Sequence, residues 1–306
     1  QSDICIEANP DDLDQFSLDK LKGIGVMKIS IGIQSFNDDI LKAIGRTSHN
    51  GETAFDAIKL AMNSGFNCVN ADLMFALPSQ SLSDLREDLG KAIEAGPHQI
   101  TTYPLLLFPY TKMAEDVTNG KVTLPGAKEE RAMYEEIVRF LTGNGYEMCA
   151  VWGFARKGVE KYGSVEREEY IGVGAGAMSV TNEFTYSNTF PVEENIQAVE
   201  KGLPVAFGTT YSDKPMAKWF MMRLYEMGFE KEDFVRAFGE EPERAIRRLL
   251  QIFRLLRIID VDEKSVRVTR RGLYPVHVMT KTFLTTYINR ICEEGVKTPW
   301  PDEFQI

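Results

Sequence analysis

The sequence has 306 residues, 43% of them hydrophobic, and a net charge of -10. This length allows a large core in one or two domains. The negative charge argues against non-specific nucleic-acid binding, which needs a basic surface. No apolar run reaches membrane-spanning length and no secretory signal is recognised at the start, so we expect no membrane partner and a cytoplasmic protein.

Strands and helices alternate through the first half of the sequence. In the clearest strand, 27–34, Ile29, Ile31 and Ile33 alternate with smaller residues, and a helix capped by Ser35 or Asn37 follows. Strands this apolar, each followed by a helix, are typical of a parallel sheet covered by helices. We predict further strands at 4–7, 68–74, 99–108 and 146–152, and further helices at 11–24, 51–64, 81–95 and 127–143.

Polar side chains stand at or near the carboxyl ends of four predicted strands. They are Glu7, Gln34, Asp72 and Tyr103, and ligands in α/β folds gather at these strand ends. Arg46 follows the helix after Gln34, and a guanidinium suits a ligand that carries a carboxylate. We therefore expect the four strand-end side chains to converge on one mouth.

The four cysteines and three histidines are widely separated. Because no CxxC-type pair occurs, the chain itself offers neither a zinc site nor an iron–sulfur site. We predict that the cysteines are buried, reduced thiols, and that neither they nor the histidines bind a metal. The residues are Cys5, Cys68, Cys149 and Cys292, and His49, His98 and His277.

The pattern changes after residue 153. The glycine-rich segment YIGVGAGAMSV, 170–180, lets the backbone approach closely but does not fit a dinucleotide-binding loop. From about residue 213, helices at 214–228 and 242–257, a hairpin within 258–272 and a helix at 275–294 predict a small winged-helix-like module. Five arginines in 242–257 allow DNA contact, but interspersed acidic residues favour a solvated helix face: Arg244, Arg247, Arg248, Arg254 and Arg257.

Several motifs occur in the order found in one known family. They are IEANP (6–10), ISIGIQSF (29–36) with Gly45-Arg46, NADLMFALPSQ (70–80), GFARK (153–157), IGVGAGAMS (171–179) and VTRRG (268–272). The sequence resembles the oxygen-independent coproporphyrinogen III oxidases and their relatives, the haem chaperones, within the radical S-adenosylmethionine (SAM) superfamily. The resemblance covers nearly the whole chain.

The resemblance implies a partial (β/α) barrel of the radical SAM type that lacks its first units, followed by the winged-helix-like α+β module. The expected boundaries are 1–180 for the barrel portion, 181–212 for a linker and 213–306 for the module. The implied cofactors are one or two SAM molecules and a [4Fe-4S] cluster. The cluster reduces SAM to a 5′-deoxyadenosyl radical that abstracts hydrogen from the substrate, while the protein positions the reactants.

The same resemblance assigns roles to individual residues. Glu7 would hold the methionyl ammonium, Arg46 the methionyl carboxylate, and Gln34 the methionyl part or the ribose. Asp72 would accept hydrogen bonds from the ribose hydroxyls. Two further contacts are implied: residues 103–105, with Tyr103 and Leu105, along the adenine, and Phe154 with the glycine segment beside a second SAM.

The departures from the family pattern matter for function. The CxxxCxxC cluster motif is absent and Gln1 is not a natural start residue, so we expect a fragment, with cluster ligands outside this chain. Haem chaperones usually have histidine where this sequence has Met178, and this difference argues against a chaperone. Loop 157–170 is poorer in aromatic residues than the oxidase loop, so decarboxylation of coproporphyrinogen III is not assured.

Three functions follow as hypotheses. The first is a coproporphyrinogen-oxidase-like radical SAM oxidoreductase that acts on a tetrapyrrole and receives electrons from a flavodoxin or ferredoxin. Related radical SAM methyltransferases and cyclopropanating enzymes share its layout. The second is a haem chaperone or carrier with the same fold. The third is an unrelated barrel hydrolase or lyase that uses Glu7 and Asp72 as acid and base.

Overall fold

The computed structural model describes residues 3–109, 111–163, 169–181, 185–210 and 215–300. The chain divides into two compact units. Unit 1 comprises Gln1–Leu105 and Asp116–Tyr162, and unit 2 comprises Leu106–Glu115 and Gly163–Ile306.

Unit 1 is an α/β structure in which strands and helices alternate as predicted. A short 3-10 turn, Pro10–Asp12, precedes the first helix. The strands are β1 (Ile4–Ala8), β2 (Val26–Gln34), β3 (Cys68–Phe75), β4 (Gln99–Pro104), β5 (Tyr146–Met148) and β6 (Gly153–Arg156). The helices are α1 (Gln15–Gly23), α2 (Asp38–Ala43), α3 (Gly51–Asn63), α4 (Leu82–Ala95), α5 (Lys112–Thr118, shared with unit 2) and α6 (Ala127–Gly143).

The six strands form one sheet in the order β1-β2-β3-β4-β6-β5. The first four strands are parallel, β6 is antiparallel to β4, and β5 is antiparallel to β6. Helical crossovers explain the parallel part, because parallel neighbours need a long connection. The parallel α/β fold predicted from the sequence is confirmed.

The two faces of this sheet differ in chemistry. Ile29, Ile31 and Ile33 of β2 are fully buried on the face that packs on helices. Ser30 and Gly32 lie on the other face, because neighbouring residues in a strand point to opposite sides. Cross-strand register places polar residues of β1, β3 and β4 beside them. Unit 1 therefore has one apolar face and one polar face.

The fifth predicted strand is shorter than expected. β5 ends at Met148, and the chain reverses at once, with Cys149 N and Ala150 N both donating to Gly153 O at 2.9 and 3.2 Å. Residues 149–152 are buried in this reversal. Their apolar character therefore reflects a buried turn, and β6 supplies the strand that pairs with β4.

Unit 2 contains two small antiparallel sheets and several helices. Its strands are β7 (Met178–Val180), β8 (Thr185–Asn188), β9 (Ala206–Thr210), β10 (Gly228–Glu230), β11 (Ile259–Val261) and β12 (Ser265–Val268). Its helices are α7 (Val192–Glu200), α8 (Pro215–Tyr225), α9 (Lys231–Phe238), α10 (Pro242–Ala245), α11 (Arg247–Leu255), α12 (Leu273–Phe283) and α13 (Asn289–Lys297), with a π-helical turn at Leu284–Ile288.

The C-terminal part of unit 2 has the order helix, strand, helices and hairpin of a winged helix. β12 pairs with both β10 and β11. Trp219, Phe229 and Phe234 meet edge to face or tilted, with ring centroids 4.9–6.2 Å apart, and form an aromatic core. The predicted helix at 242–257 is divided at Ile246 into α10 and α11, and its five arginines are exposed.

The unit boundaries differ from the predicted ones. The range 181–212, expected as a linker, contains β8, α7 and β9, while 182–184 and 211–212 lie outside the described residues. β8 is a buried strand although its residues are small and polar: Thr185, Ser187 and Asn188 are all buried. In the part of the chain that the structure describes, no helix is both long enough and apolar enough to span a bilayer.

Candidate functional site

The polar strand ends of unit 1 converge, and Tyr103 lies at their centre. Its hydroxyl donates to Gln34 Oε1 at 2.8 Å. Burial is the main cause that raises the pKa of this phenol; the negative charges of Asp72 and Glu7 raise it further, while the positive charge of Arg46 lowers it. Gln34 thus contacts this hydroxyl, and the charges of Glu7, Arg46 and Asp72 lie near enough to affect its pKa. We call the group Glu7, Gln34, Arg46, Asp72 and Tyr103 the polar mouth.

Asp72 on β3 is held by its neighbours on the polar face. Ser30 Oγ donates to Asp72 Oδ2 at 2.6 Å, and Asn70 Nδ2 donates to Asp72 Oδ1 at 2.8 Å. Burial nevertheless raises the pKa of Asp72 from 3.8 to about 6, and the nearby charge of Glu7 also raises it. Each carboxylate oxygen keeps a second lone pair, so Asp72 can still accept hydrogen bonds from a ligand.

The raised pKa of Asp72 makes the stability of the fold depend on pH. The pKa of Asp72 is higher in the folded chain than in the unfolded chain. The protonated Asp72 carboxyl therefore contributes fully to the free energy of unfolding below pH 3.8, and this contribution is lost as pH rises through about 6. Between about pH 5 and pH 7, the unsubstituted chain should therefore lose about 1 kcal/mol more of its free energy of unfolding than Asp72→Asn. Urea denaturation at both pH values measures this difference, and equal losses in the two proteins contradict it.

Gln34 ends β2 in an unusual conformation. Its φ is +66°, and the register between β2 and β3 shifts between Gly32 and Gln34. The turn folds the carboxamide back over Gly32, where an added Cβ would lie 2.9 Å from Gln34 Nε2. Among the described residues, Gln34 Nε2 has no hydrogen-bond partner, so it is a donor available to a ligand.

Glu7 and Arg46 provide opposite charges at the rim. Glu7 is exposed on β1 and makes no hydrogen bond or ion pair with the described residues. Arg46 is half-buried, and its Nη1 donates to Asn9 Oδ1 at 3.0 Å. An exposed carboxylate, and a guanidinium whose one hydrogen-bond partner in the described part of the chain is an amide, are suited to a zwitterionic ligand.

A hydrogen-bonded row continues along the polar face away from the mouth. Thr101 Oγ1 donates to Asn70 Oδ1 at 2.9 Å, and Gln99 Nε2 donates to Tyr162 O at 2.7 Å. Tyr162 N in turn donates to Gln99 Oε1 at 2.8 Å, so loop 157–162 closes this end of the face. The polar mouth is therefore one end of an ordered polar surface.

Two residues predicted for this site behave differently. Phe154 is fully buried and pairs with Ile100 on the apolar face of the sheet, so its side chain does not reach the polar mouth. The expected contact between Phe154 and a second SAM stays a prediction. Leu105 is half-buried just after β4, and its N–H donates to Phe75 O at 3.0 Å. Its side chain makes no polar contact.

Sequence reasoning missed the residues that support the mouth. Ser30, Asn70 and Thr101 lie on the same face as Asp72, and this followed in principle from the period-two alternation in their strands. Asn9, the partner of Arg46, carried no such signal. No group of three or more histidine, cysteine or acidic residues that could hold a metal ion occurs within the described ranges.

Comparisons with known proteins agree with the α/β fold. Residues 2–92 match the model of the Radical SAM superfamily. The chain is 29% identical over 277 residues to a haem chaperone, HemW, of Bacillus subtilis and 23% identical over 301 residues to the oxygen-independent coproporphyrinogen III oxidase of Paracoccus denitrificans. A solved structure of the Escherichia coli coproporphyrinogen III oxidase, HemN, has a TM-score of 0.73 at 20% identity and shares the fold.

The matches cover most of this chain but only part of each relative. They span 89% of the chain for the Bacillus protein, 92% for the Paracoccus protein and 94% for the solved structure. The corresponding shares of those proteins are 73%, 66% and 70%. For the haem chaperones of Lactococcus lactis and Haemophilus influenzae, the chain spans only 52% and 45% of their length.

Proposed function

This chain belongs to the radical SAM superfamily, and from that premise we propose that the polar mouth of unit 1 binds SAM. The observation that carries the proposal is the convergence of Glu7, Gln34, Arg46 and Asp72 on Tyr103. The exposed carboxylate of Glu7 would accept from the methionyl ammonium, and Arg46 would bind the methionyl carboxylate. Asp72 would accept from the ribose hydroxyls.

The donors and acceptors of the mouth fit this ligand. SAM presents an ammonium, a carboxylate and a ribose diol, and the mouth offers free groups of complementary character. Gln34 Nε2 supplies a further donor, and Gly32 leaves open the space beside it. Bound SAM supplies the adenosyl group for hydrogen abstraction, while the chain's own residues bind and orient it. Leu105 would pass the adenine from its place after β4.

The residues do not fit the second implied cofactor, the [4Fe-4S] cluster. Such clusters are held by cysteine thiolates, but no group of three or more cysteine, histidine or acidic residues that could hold a metal ion occurs among the described residues. Cys68 is buried, and burial raises the pKa of its thiol to about 12, so it is not a ready thiolate ligand. We assign the cluster no ligands in this chain.

We propose a tetrapyrrole as the substrate class, with hydrogen abstraction as the chemistry. The likeness to the Paracoccus oxidase supports an oxidase-like enzyme, with a flavodoxin or ferredoxin as electron donor. A second candidate, haem carriage, is favoured by the likeness to the Bacillus haem chaperone. Met178 on β7 takes the place of a histidine usual in chaperones, so its thioether is the group that would contact haem at this position.

Two measurements test these functions. The 306-residue chain should bind one equivalent of SAM in isothermal titration calorimetry, and no binding heat at high protein concentration would reject the proposal. A haem titration followed by absorbance then separates the candidates. Saturable haem binding that is altered by Met178→Ala favours the carrier. Release of 5′-deoxyadenosine under reducing, anaerobic conditions, by a longer chain that includes a CxxxCxxC cluster motif, favours the enzyme.

Gly32→Ala provides a structural test of the mouth. The new methyl group would stand 2.9 Å from Gln34 Nε2 and would displace that donor. We expect SAM affinity to fall by about tenfold, the loss of one hydrogen bond of about 1.4 kcal/mol, with little change in thermal stability. Gly90→Ala on α4, where an added Cβ meets nothing within 4 Å, is the matched control. Equal SAM affinities of the two variants contradict the expectation.

A further inference from the structure

The turn that carries Gln34 is strained. Ser35 N donates to Ile33 O at 2.9 Å across Gln34, whose φ is +66°. A three-residue turn around a residue with positive φ is rare and energetically unfavourable outside glycine. Such a turn persists only where its surroundings fix it, and it places the Gln34 carboxamide against Tyr103.

A buried carboxylate on a distant helix holds this turn. Asp88 of α4 is only 2% exposed. Its Oδ2 accepts from Ser35 Oγ at 2.7 Å, and its Oδ1 accepts from Phe36 N at 2.7 Å. Both oxygens therefore bind the two residues that directly follow Gln34. Hydrogen bonds to an ionised acceptor are stronger than those between neutral groups.

The same turn is confined from its other side. His49 Nε2 lies 3.2 Å from Ile33 O. At Gly51, an added Cβ would come within 2.1 Å of Phe36 O, so the backbone of α3 packs directly on the turn. With these contacts in place, Asp88 is the only described carboxylate that hydrogen-bonds both Ser35 and Phe36.

We infer that Asp88 is a positioning residue for the ligand site: it holds Ser35 and Phe36 so that Gln34 stays on Tyr103 with its Nε2 free. The inference rests on the proposed function in that the ligand is SAM. Asp88 would touch no ligand atom and would act only through Gln34. A purely structural Asp88 would instead affect folding while leaving the affinity of each folded molecule unchanged.

A double-mutant cycle separates these roles. SAM affinity is measured by calorimetry for the unsubstituted chain, Asp88→Asn, Gln34→Ala and the double variant, each with its folded fraction checked by circular dichroism. We expect Asp88→Asn to weaken binding by about tenfold, and to have less than about a twofold effect once Gln34 is alanine. Glu87→Gln, the same charge change at the exposed neighbouring position, should change nothing. Independent, multiplicative effects of the two substitutions would overturn the inference.

A ligand-free measurement keeps the inference testable apart from SAM. In nuclear magnetic resonance spectra, Asp88→Asn should shift the side-chain amide signals of Gln34 and speed hydrogen exchange at the Phe36 amide. Glu87→Gln should do neither. Unchanged Gln34 signals in Asp88→Asn overturn the positioning role whatever the ligand is. Shifted signals together with no SAM binding by the unsubstituted chain would reject the proposed function and retain the positioning of Gln34.

Discussion

Replacement of Asp72 by alanine should weaken SAM binding by roughly ten- to a hundredfold. The carboxylate is the acceptor proposed for the ribose hydroxyls, and hydrogen bonds to charged groups contribute about 1.5–3 kcal/mol. Folding should survive, because Asn70 Nδ2 also donates to Ser30 Oγ at 2.7 Å and these two groups can remain paired. Calorimetric titration with SAM measures the change.

The control for this prediction is Asp56→Ala. Asp56 is exposed on α3 and has no partner among the described residues, so its removal makes the same charge change away from the mouth. SAM affinity should stay within about twofold of that of the unsubstituted chain, since distant sites act independently. If Asp72→Ala binds SAM as tightly as Asp56→Ala, the assignment of Asp72 to the ribose is wrong.

Replacement of Asp88 by alanine should produce the largest loss of stability. The substitution leaves Ser35 Oγ and Phe36 N buried without their acceptor, and each orphaned donor costs about 1–3 kcal/mol. We expect the free energy of unfolding to fall by about 2–5 kcal/mol, measured by urea denaturation at neutral pH. Asp88→Asn should cost less, because its amide keeps one acceptor oxygen.

Two observations would contradict this expectation. One is a loss below about 1 kcal/mol in Asp88→Ala, which would mean that water or a rearranged turn satisfies the two donors. The other is an equal loss in the free energy of unfolding in Glu87→Ala. Glu87 is exposed on α4 and makes no hydrogen bond with the described residues of the turn.

The convergence of the mouth was predictable because a parallel sheet brings the carboxyl ends of its strands to one edge. That rule needs only the order of strands, and the alternation of Ile29, Ile31 and Ile33 identified one of them. Counting in twos then places Asp72 on the same face of its strand as Asn70, and Tyr103 on the same face of its strand as Thr101. The sequence contains this information within single strands.

The surroundings of two residues could not be predicted from the sequence, because they depend on contacts between distant segments. Phe154 lies on β6, and its face is set by an antiparallel register with β4 across a gap of about fifty residues. Asp88 reads as one more acidic residue of an amphipathic helix, and only the packing of α4 on the sheet brings it to Ser35. The periodic pattern of a single helix or strand does not predict contacts with segments that are distant in the sequence.

The regular elements within 181–212 were not predicted for a related reason. β8 consists of small polar residues, and nothing in TYSN shows that Ser187 and Asn188 are buried. Asn188 Nδ2 donates to Gly174 O at 2.9 Å, so the strand is tied to the glycine-rich segment. Polar residues that are satisfied by a neighbouring loop resemble a linker until that loop is placed.

A crystal structure of the chain soaked with SAM tests the central claim most directly. Glu7, Arg46 and Asp72 should each lie within hydrogen-bond distance of the ligand, with the Gln34 carboxamide still on Tyr103 and Phe154 untouched on the opposite face. Density for SAM anywhere else, or a mouth that stays free of ligand at saturating SAM, would contradict the account.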